Sequence, residues 1–161
     1  MTALSLERVW EVLHGIPDPE IPVISICDLG IVRDVRVGDG AVEVIVTPTY
    51  SGCPATEMIE SAIRDDLRAA GARDVRVRRQ LSPAWSTDWL AAGAADRLRN
   101  YGIAPPGPRD HDVVGVVRFM PSCPLCESRR TEVLAAFGAT ACKSLYRCLD
   151  CREPFEYFKP L

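Results

Sequence analysis

Two pairs of closely spaced cysteines constrain this chain more than any other feature of its sequence. The pairs are Cys123 with Cys126 and Cys148 with Cys151, and 21 residues separate the two pairs. Two sulfurs in a Cys-x-x-Cys turn can face one ion, so two such turns can complete a tetrahedral four-thiolate site. The pattern therefore predicts that the C-terminal part of the chain folds around a bound metal ion.

The segments around these cysteines indicate a small β-rich module. Apolar and alternating runs predict short strands at residues 116–120, 131–136, 145–147 and 155–159. A module of about fifty residues buries too little core to be stable alone, so metal binding should supply much of its folding free energy. Two closed knuckles on a β-ribbon favour structural Zn²⁺, although rubredoxin-like iron or a shared cluster would use the same ligands.

Cys142 complicates this assignment because it lies six residues before Cys148. Three interpretations of Cys142 stay open: a free thiol, a labile fifth ligand, or a core residue. The chain has seven cysteines, and the two tight pairs favour metal in a reducing compartment over a disulfide framework. The N-terminus lacks the order of a signal peptide, and no apolar run nears the ~20 residues of a bilayer span. We therefore expect a cytoplasmic protein.

The charge balance argues against nucleic acid and membranes as partners. The formal net charge is −3 and the sequence pI is near 5.4, so no overall field draws in an anionic polymer or surface. A nucleic-acid-binding zinc ribbon would also need a basic face with stacking aromatic residues. The C-terminal segment is close to neutral, so this function is disfavoured.

The first 103 residues predict an α+β domain, a small α/β sandwich. Apolar periodicity, capping residues and glycine turns define its helices and strands. A proline-rich linker follows at residues 104–112, and residues 113–161 form the zinc-ribbon module. The predicted elements are a helix from Ser5 to Gly15, a hairpin of strands 31–37 and 41–47, a helix from Pro54 to Gly71, a strand at 74–79 and a helix from Thr87 to Gly102.

Cys53 lies on a glycine turn between a predicted strand and a predicted helix. We expect Cys53 at the N-cap and Pro54 in the first helical turn, where its missing N–H has no intrahelical partner. Free backbone N–H groups and the helix dipole would favour a thiolate there, which makes Cys53 a functional candidate. The alternative is a small buried residue in a tight turn.

Three motifs, in order, resemble the SufT-like iron-sulfur assembly domain family. They are Asp18-Pro19-Glu20-x-Pro22, Asp28-Leu29-Gly30-Ile31-Val32 and Gly52-Cys53-Pro54. Together with Trp85-Ser86-Thr87-Asp88-Trp89 and the cysteine-rich tail, they make the whole chain similar to the D subunits of bacterial phenylacetyl-CoA epoxidases. The resemblance implies a role in aerobic phenylacetate breakdown, beside a diiron oxygenase and its iron-sulfur flavin reductase.

The same resemblance implies a second metal-handling site in the first domain. Its candidate residues are Asp18, Glu20, Asp28 and Cys53. Carboxylates and one thiolate could hold a transient iron ion or iron-sulfur cluster loosely, as suits a carrier. The alternative is that Asp18 and Asp28 cap turns and that Cys53 is buried.

The resemblance also implies an accessory protein that is not itself catalytic. The sequence agrees, since it has two histidines, no pair of Glu-x-x-His motifs for a diiron bundle and no Gly-x-Gly-x-x-Gly fingerprint. A cysteine hydrolase built on Cys53 would need a histidine base, for which only His14 is available in that domain.

Two functions remain in competition. The first is a maturation factor that helps to assemble an iron or iron-sulfur centre in a component of the epoxidase complex. The second is a stoichiometric structural or regulatory subunit that docks through its zinc ribbon. Self-association of the first domain as a homodimer is a further expectation from the family.

Overall fold

The computed structural model describes residues 4–107 and 120–161, which divide into two compact units. The first unit comprises residues 4–85 and 89–91, and the second comprises residues 86–88 and 92–161 within the described ranges. No helix in the described residues is long and apolar enough to cross a membrane. Helices and sheets occur in both units, so the predicted α+β class is confirmed.

The first unit is a three-stranded sheet with two helices. Its elements are α1 (Leu6–Gly15), β1 (Val32–Gly38), β2 (Ala41–Val46), α2 (Ala55–Ala69) and β3 (Asp74–Arg79). β1 and β2 form the predicted antiparallel hairpin, and Asp39 and Gly40 adopt positive φ values of 50° and 79° in its turn. β3 pairs parallel to β2 because α2 carries the chain back across the sheet.

The two helices of the first unit begin differently. Ser5 caps α1, and its hydroxyl accepts a hydrogen bond from the Arg8 backbone N–H at 3.2 Å. Pro54 takes the N-cap position of α2, one residue after the expected Cys53, and no side chain caps this helix. The backbone donors at the start of α2 therefore lack the usual side-chain acceptor.

The second unit contains a short helix and a four-stranded sheet. Its elements are a 3₁₀ turn (Thr87–Trp89, of which Trp89 belongs to the first unit), α3 (Ala94–Asn100), β4 (Ile103–Ala104), β5 (Thr131–Ala135), β6 (Lys143–Cys148) and β7 (Pro154–Phe158). The sheet order is β4-β7-β6-β5, with β5, β6 and β7 antiparallel and β4 parallel to β7. Three predicted strands match β5, β6 and β7, and most of the fourth, at 116–120, lies outside the described residues.

The unit boundary differs from the one expected at residue 103. The predicted helix from Thr87 to Gly102 is divided, because Gly93 at φ 80° ends the preceding turn and α3 starts only at Ala94. α3 and β4 belong to the second unit, where β4 pairs with β7. Ala104, expected in the linker, is therefore a buried sheet residue, and residues 108–112 lie outside the described ranges.

The Asp28-Leu29-Gly30 turn is held by the segment that carries the two tryptophans. The Trp85 Nε1–H donates to the Leu29 carbonyl at 2.9 Å, and the Ala91 N–H donates to the Asp28 carbonyl at 2.8 Å. Gly30 has φ 76°, and a Cβ at this position would lie 2.5 Å from the carbonyl oxygen of Trp89. The motif therefore has a structural role, because only glycine satisfies both its backbone angle and this close approach.

We predict that Gly30→Ala lowers the free energy of unfolding by about 2–5 kcal/mol, since it combines left-handed backbone strain with a steric clash. Thermal and urea unfolding monitored by tryptophan fluorescence would measure this change. Gly38→Ala is the matched control, because no atom lies within 4 Å of its would-be Cβ and its φ is not in the left-handed region. Equal stability of the two variants would contradict this account of the turn.

A buried carboxylate links α2 to the end of β3. Glu60 accepts from Arg64 at 3.1 Å and also from Arg79, and only 11% of its side chain is exposed. Burial opposes ionisation of Glu60, but hydrogen bonds from Arg79 and Arg64 outweigh it and lower the pKa of this carboxyl below its ordinary value. Arg79 thus lies on the side of β3 that faces α2, the side that it shares with the buried Val75 because strand residues alternate.

Glu60→Gln should lower the free energy of unfolding by about 1 kcal/mol at neutral pH, a modest loss because solvent screens the half-exposed Arg79. Since the folded-state pKa of Glu60 is depressed, its contribution exists above the ordinary carboxyl pKa and is lost as pH falls through the folded value. The free energies of unfolding of the wild type and of Glu60→Gln, measured from pH 7 to pH 3, should therefore converge as the pH falls. Glu11→Gln, which removes an exposed ion pair with Arg8, should change little at any pH.

Candidate metal centres

The four paired cysteines form one compact sulfur cluster in the second unit. The Sγ atoms of Cys123, Cys126, Cys148 and Cys151 all lie within 4.8 Å of one another. The Cys123–Cys151 and Cys126–Cys148 sulfur separations are 3.8 and 3.5 Å. A tetrahedral site with Zn–S bonds of about 2.3 Å has sulfurs about 3.8 Å apart. The donor set and its spacing fit one Zn²⁺ ion held without an open coordination position.

Two backbone turns present these sulfurs. In the first, the Cys123 N–H donates to the Ser128 carbonyl at 2.9 Å, and Glu127 adopts φ 62°. In the second, the Cys148 N–H donates to the Glu153 carbonyl at 3.0 Å, and Arg152 adopts φ 69°. Such left-handed residues allow a chain to fold back within a few residues, so each turn places both of its cysteines on one side.

Polar contacts join the two turns independently of metal. The Leu149 N–H donates to the Arg130 carbonyl at 2.7 Å, and the Arg130 guanidinium donates to the Asp150 carboxylate at 2.6 Å. The Ser128 hydroxyl donates to the same carboxylate. Asp150, between the second pair of cysteines, is therefore a structural residue that aligns the two halves of the site.

The cysteines of the cluster differ in acidity. Burial raises the pKa of the Cys148 thiol, but the N–H groups of Cys151 and Asp150 and the adjacent thiols outweigh burial and bring the pKa to about 6. The Glu153 N–H lowers the pKa of Cys151, yet burial and the neighbouring sulfurs outweigh it and raise the pKa to about 12. The protein environment thus favours an initial thiolate at Cys148, and a divalent cation would favour the others.

An aromatic core underlies the cluster. Tyr146 stacks on Phe155 with ring centroids 5.9 Å apart and meets Tyr157 edge-on at 5.6 Å. These rings pack with Cys123 and Cys148 in one buried cluster. The core is small, which is consistent with a module that depends on metal for part of its stability.

Cys142 lies outside the sulfur cluster. It immediately precedes β6, whereas Cys148 ends this strand, so the two are about 20 Å apart at about 3.3 Å per residue. Cys142 is buried, and its Sγ atom lies 3.0 Å from the Thr140 hydroxyl oxygen. The structure therefore separates Cys142 from the four-cysteine site and does not place it as a fifth ligand.

The four residues proposed for iron in the first unit do not converge. Within residues 4–107 and 120–161, the four-cysteine cluster is the one group of three or more potential metal ligands brought together. Asp18 is buried, and its Oδ1 accepts from the N–H groups of Glu20 and Ile21, each at 2.9 Å. Asp18 thus caps its own turn, as the structural alternative expected, while Glu20 is exposed and Asp28 half-buried.

Cys53 is half-buried in a turn whose neighbours Ser51, Gly52 and Pro54 are exposed. The Cys53 N–H donates to the Tyr50 carbonyl, and the Thr56 N–H donates to the Cys53 carbonyl, both at 3.2 Å. The other cysteine of this unit differs, because burial and then the Asp28 charge raise the pKa of the Cys27 thiol to about 12. Cys53 is thus a thiol on an open turn, and Cys27 stays protonated.

Two buried threonine hydroxyls near Cys53 in sequence have no hydrogen-bond partner among the described residues. Thr47, at the end of β2, and Thr56, in the first turn of α2, are 1% and 5% exposed. Within the described part of the chain, their side-chain oxygens have no hydrogen-bond partner. An unpaired buried hydroxyl costs about 1–3 kcal/mol. A threonine in a strand or a helix is ordinary in sequence, so no pattern distinguishes these two in advance.

Two family models match the chain, one in each part. The model of an iron-sulfur cluster assembly protein matches residues 6–78, and the model of the PaaD zinc beta ribbon domain matches residues 115–159. Two solved structures, a DUF59 domain of unknown function from Bacillus anthracis and a conserved hypothetical protein from Thermotoga maritima, are each 25% identical with a TM-score of 0.53. They cover 57% and 61% of this chain, and this chain covers 89% and 98% of them.

Two curated relatives are also similar. An Fe-S protein maturation auxiliary factor of Porphyromonas gingivalis is 34% identical over 90 residues, which cover 55% of this chain and 85% of the relative. A protein of Escherichia coli named as the D subunit of 1,2-phenylacetyl-CoA epoxidase is 50% identical over 155 residues, covering 96% of this chain and 92% of the relative. This chain therefore belongs to the family of 1,2-phenylacetyl-CoA epoxidase D subunits.

Proposed function

We propose that this protein is an accessory factor of aerobic phenylacetate breakdown that helps to assemble an iron or iron-sulfur centre in a component of phenylacetyl-CoA epoxidase. The observation that carries the proposal is the division of its cysteines between two kinds of site. One unit holds a closed four-sulfur cluster, and the other presents Cys53 on an open turn. The similarity to an Fe-S protein maturation auxiliary factor supports the assembly role of the first unit.

The proposed ligands of the structural Zn²⁺ are Cys123, Cys126, Cys148 and Cys151. Four thiolates leave no position for a substrate or a reactive water, so the ribbon shapes the protein and is not a catalytic centre. Cys53 is the proposed contact for iron or a cluster in transit. The remaining ligands of this cargo would come from the donor or the client protein, since Asp18, Glu20 and Asp28 do not converge with Cys53 here.

A second function is favoured by the outer strand of the ribbon. β5 is at the sheet edge, and Val133, Leu134 and the nearby Phe137 are 42%, 47% and 66% exposed. Three exposed apolar side chains within five residues of the chain suit a docking surface. The chain would then be a stoichiometric subunit that regulates the oxygenase. This second function is favoured if epoxidase components made without this protein contain their full metal content, yet turn over substrate faster when the protein is added.

The partners in either case are the diiron oxygenase or the iron-sulfur flavin reductase of the complex. Residence in the cytoplasm follows from the proposal, because thiols stay reduced there. A homodimer remains a prediction, and light scattering on the eluted protein would test it.

Zinc analysis tests the ribbon assignment. Cys148→Ser should reduce bound zinc from about one ion per chain to near none and unfold the second unit, because the metal supplies much of its folding free energy. Mass spectrometry of the intact protein and elemental analysis would measure this. Cys142→Ser is the matched control, since Cys142 lies at the far end of β6, and it should retain zinc.

Growth on phenylacetate tests the role of Cys53. In cells lacking their own D subunit, Cys53→Ser should slow growth on phenylacetate about tenfold, because the proposed transfer site loses its sulfur ligand. Cys27→Ser should support normal growth, since its thiol stays protonated. Iron analysis of oxygenase and reductase from the same cells identifies the client. Normal growth and full iron content with Cys53→Ser would exclude the maturation role.

A further inference from the structure

The second unit has a surface cleft with a volume of about 430 Å³. Its lining comes from the last turn of α3, from the segment that follows β4 and from the first cysteine turn, all within this unit. Sites for small molecules in proteins have volumes of about 300–1,000 Å³, so the cleft is large enough for a ligand. Neither the structural metal nor Cys53 accounts for it.

Proline rings make the lining of this cleft, the proline cleft, rigid and apolar. A proline ring fixes φ and has no N–H, so these residues offer ring surface in place of backbone donors. The Gly107 N–H donates to the Tyr157 hydroxyl at 3.2 Å, and the buried Thr131 hydroxyl donates to the Pro121 carbonyl at 2.8 Å. Both proline segments are thus anchored to the sheet, and the cleft is formed before a ligand binds. The four prolines are Pro105, Pro106, Pro121 and Pro124.

Two exposed arginines, Arg99 and Arg129, give the cleft its positive charge. Arg99 donates to Asp96 at 2.9 Å, but the Asp96 side chain is 76% exposed, so solvent weakens this pair. Arg130 pairs with Asp150, whereas no ion pair joins Arg129 to an acid among the described residues. A guanidinium group binds a carboxylate through two parallel hydrogen bonds. The two arginines therefore favour a carboxylate ligand.

The Glu127 carboxylate limits the charge that the cleft can accept. Glu127 belongs to the lining, and within residues 4–107 and 120–161 no ion pair joins it to a base. Two arginines and one glutamate leave the lining with a single excess positive charge. Four thiolates around Zn²⁺ would also carry net negative charge beside the cleft, where Cys123 is a lining residue. A ligand with one negative charge gains the arginine hydrogen bonds at the least repulsion.

We propose that the proline cleft binds a small organic monocarboxylate. The carboxylate accepts hydrogen bonds from Arg99 and Arg129, and the apolar body of the ligand packs against the proline rings. This site goes beyond the proposed assembly function, because neither Cys53 nor any other residue of the first unit takes part in it. It gives the second unit a ligand-binding role in addition to its structural metal.

The test measures binding of four probes to the zinc-loaded full chain by calorimetry and by NMR of the backbone amides. Benzoate is the monocarboxylate, benzamide its neutral counterpart, acetate a carboxylate without the apolar ring, and phthalate a dicarboxylate. The variants are Arg99→Gln, Arg129→Gln and Glu127→Gln. Arg8→Gln is the matched control, because Arg8 on α1 pairs with Glu11 three residues away at 2.9 Å, as Arg99 pairs with Asp96. Zinc content and thermal unfolding establish that each variant is folded.

We expect the wild type and Arg8→Gln to bind benzoate with a dissociation constant on the order of 1 mM, as suits so small a ligand. Arg99→Gln and Arg129→Gln should each bind benzoate about tenfold more weakly, because hydrogen bonds to a charged acceptor are lost. Benzamide and acetate should bind the wild type about tenfold more weakly than benzoate, since each lacks one half of the recognised chemistry. Glu127→Gln should bind benzoate about threefold more tightly and should also bind phthalate.

Three results would overturn the inference. The first is no benzoate binding by the wild type at about ten times the expected dissociation constant. The second is unchanged benzoate binding by folded, zinc-loaded Arg99→Gln and Arg129→Gln. The third is binding of benzamide as tight as that of benzoate, which would show that charge is not recognised. Amide shifts near Gly107 and Ser122 locate a bound probe, and shifts confined to the first unit would also exclude the cleft.

Discussion

Convergence of four sulfurs from two backbone turns is the constraint on which the second unit depends. The turns lie on segments separated by β5 and most of β6, so the sheet must close before the sulfurs can meet. Backbone and side-chain contacts between Arg130, Leu149 and Asp150 align the turns, and a small aromatic core supports them. Metal binding supplies folding free energy that such a small core lacks. Four cysteine ligands fill the coordination sphere of the ion, so no position is left for a substrate or a reactive water.

The first unit presents its candidate cysteine differently, because Cys53 is half-buried on a turn whose neighbours Ser51, Gly52 and Pro54 are exposed. Its sheet and helices are well packed, and the turn around Gly30 is fixed by Trp85 and the backbone of Trp89. Among the residues that the structure describes, buried side-chain hydroxyls lack a partner at one place, the segment from Thr47 to Thr56. An unpaired buried hydroxyl costs about 1–3 kcal/mol, so the polar groups of this segment are less well satisfied than those of the sheet and helices around it.

Much of this organisation follows from the sequence, and the exceptions have physical reasons. Cysteine spacing predicted the sulfur cluster, and alternation with turn glycines predicted the hairpin and the third strand of the first unit. The helix expected from Thr87 to Gly102 is wrong in its first half, because Gly93 adopts a left-handed φ of 80° and α3 begins only after it. The missing partners of Thr47 and Thr56 depend on three-dimensional neighbours, which periodicity and capping rules do not report.

The interleaving of the two units along the chain limits how the gene can be divided. Trp85 and residues 89–91 belong to the first unit, whereas residues 86–88 belong to the second, where the Thr87 N–H donates to the carbonyl of Leu161. No single cut yields two intact halves, since each cut removes a strip from one of them. A functional exchange between relatives would therefore need to keep residues 85–91 together with both units, so the two units would be inherited as one piece.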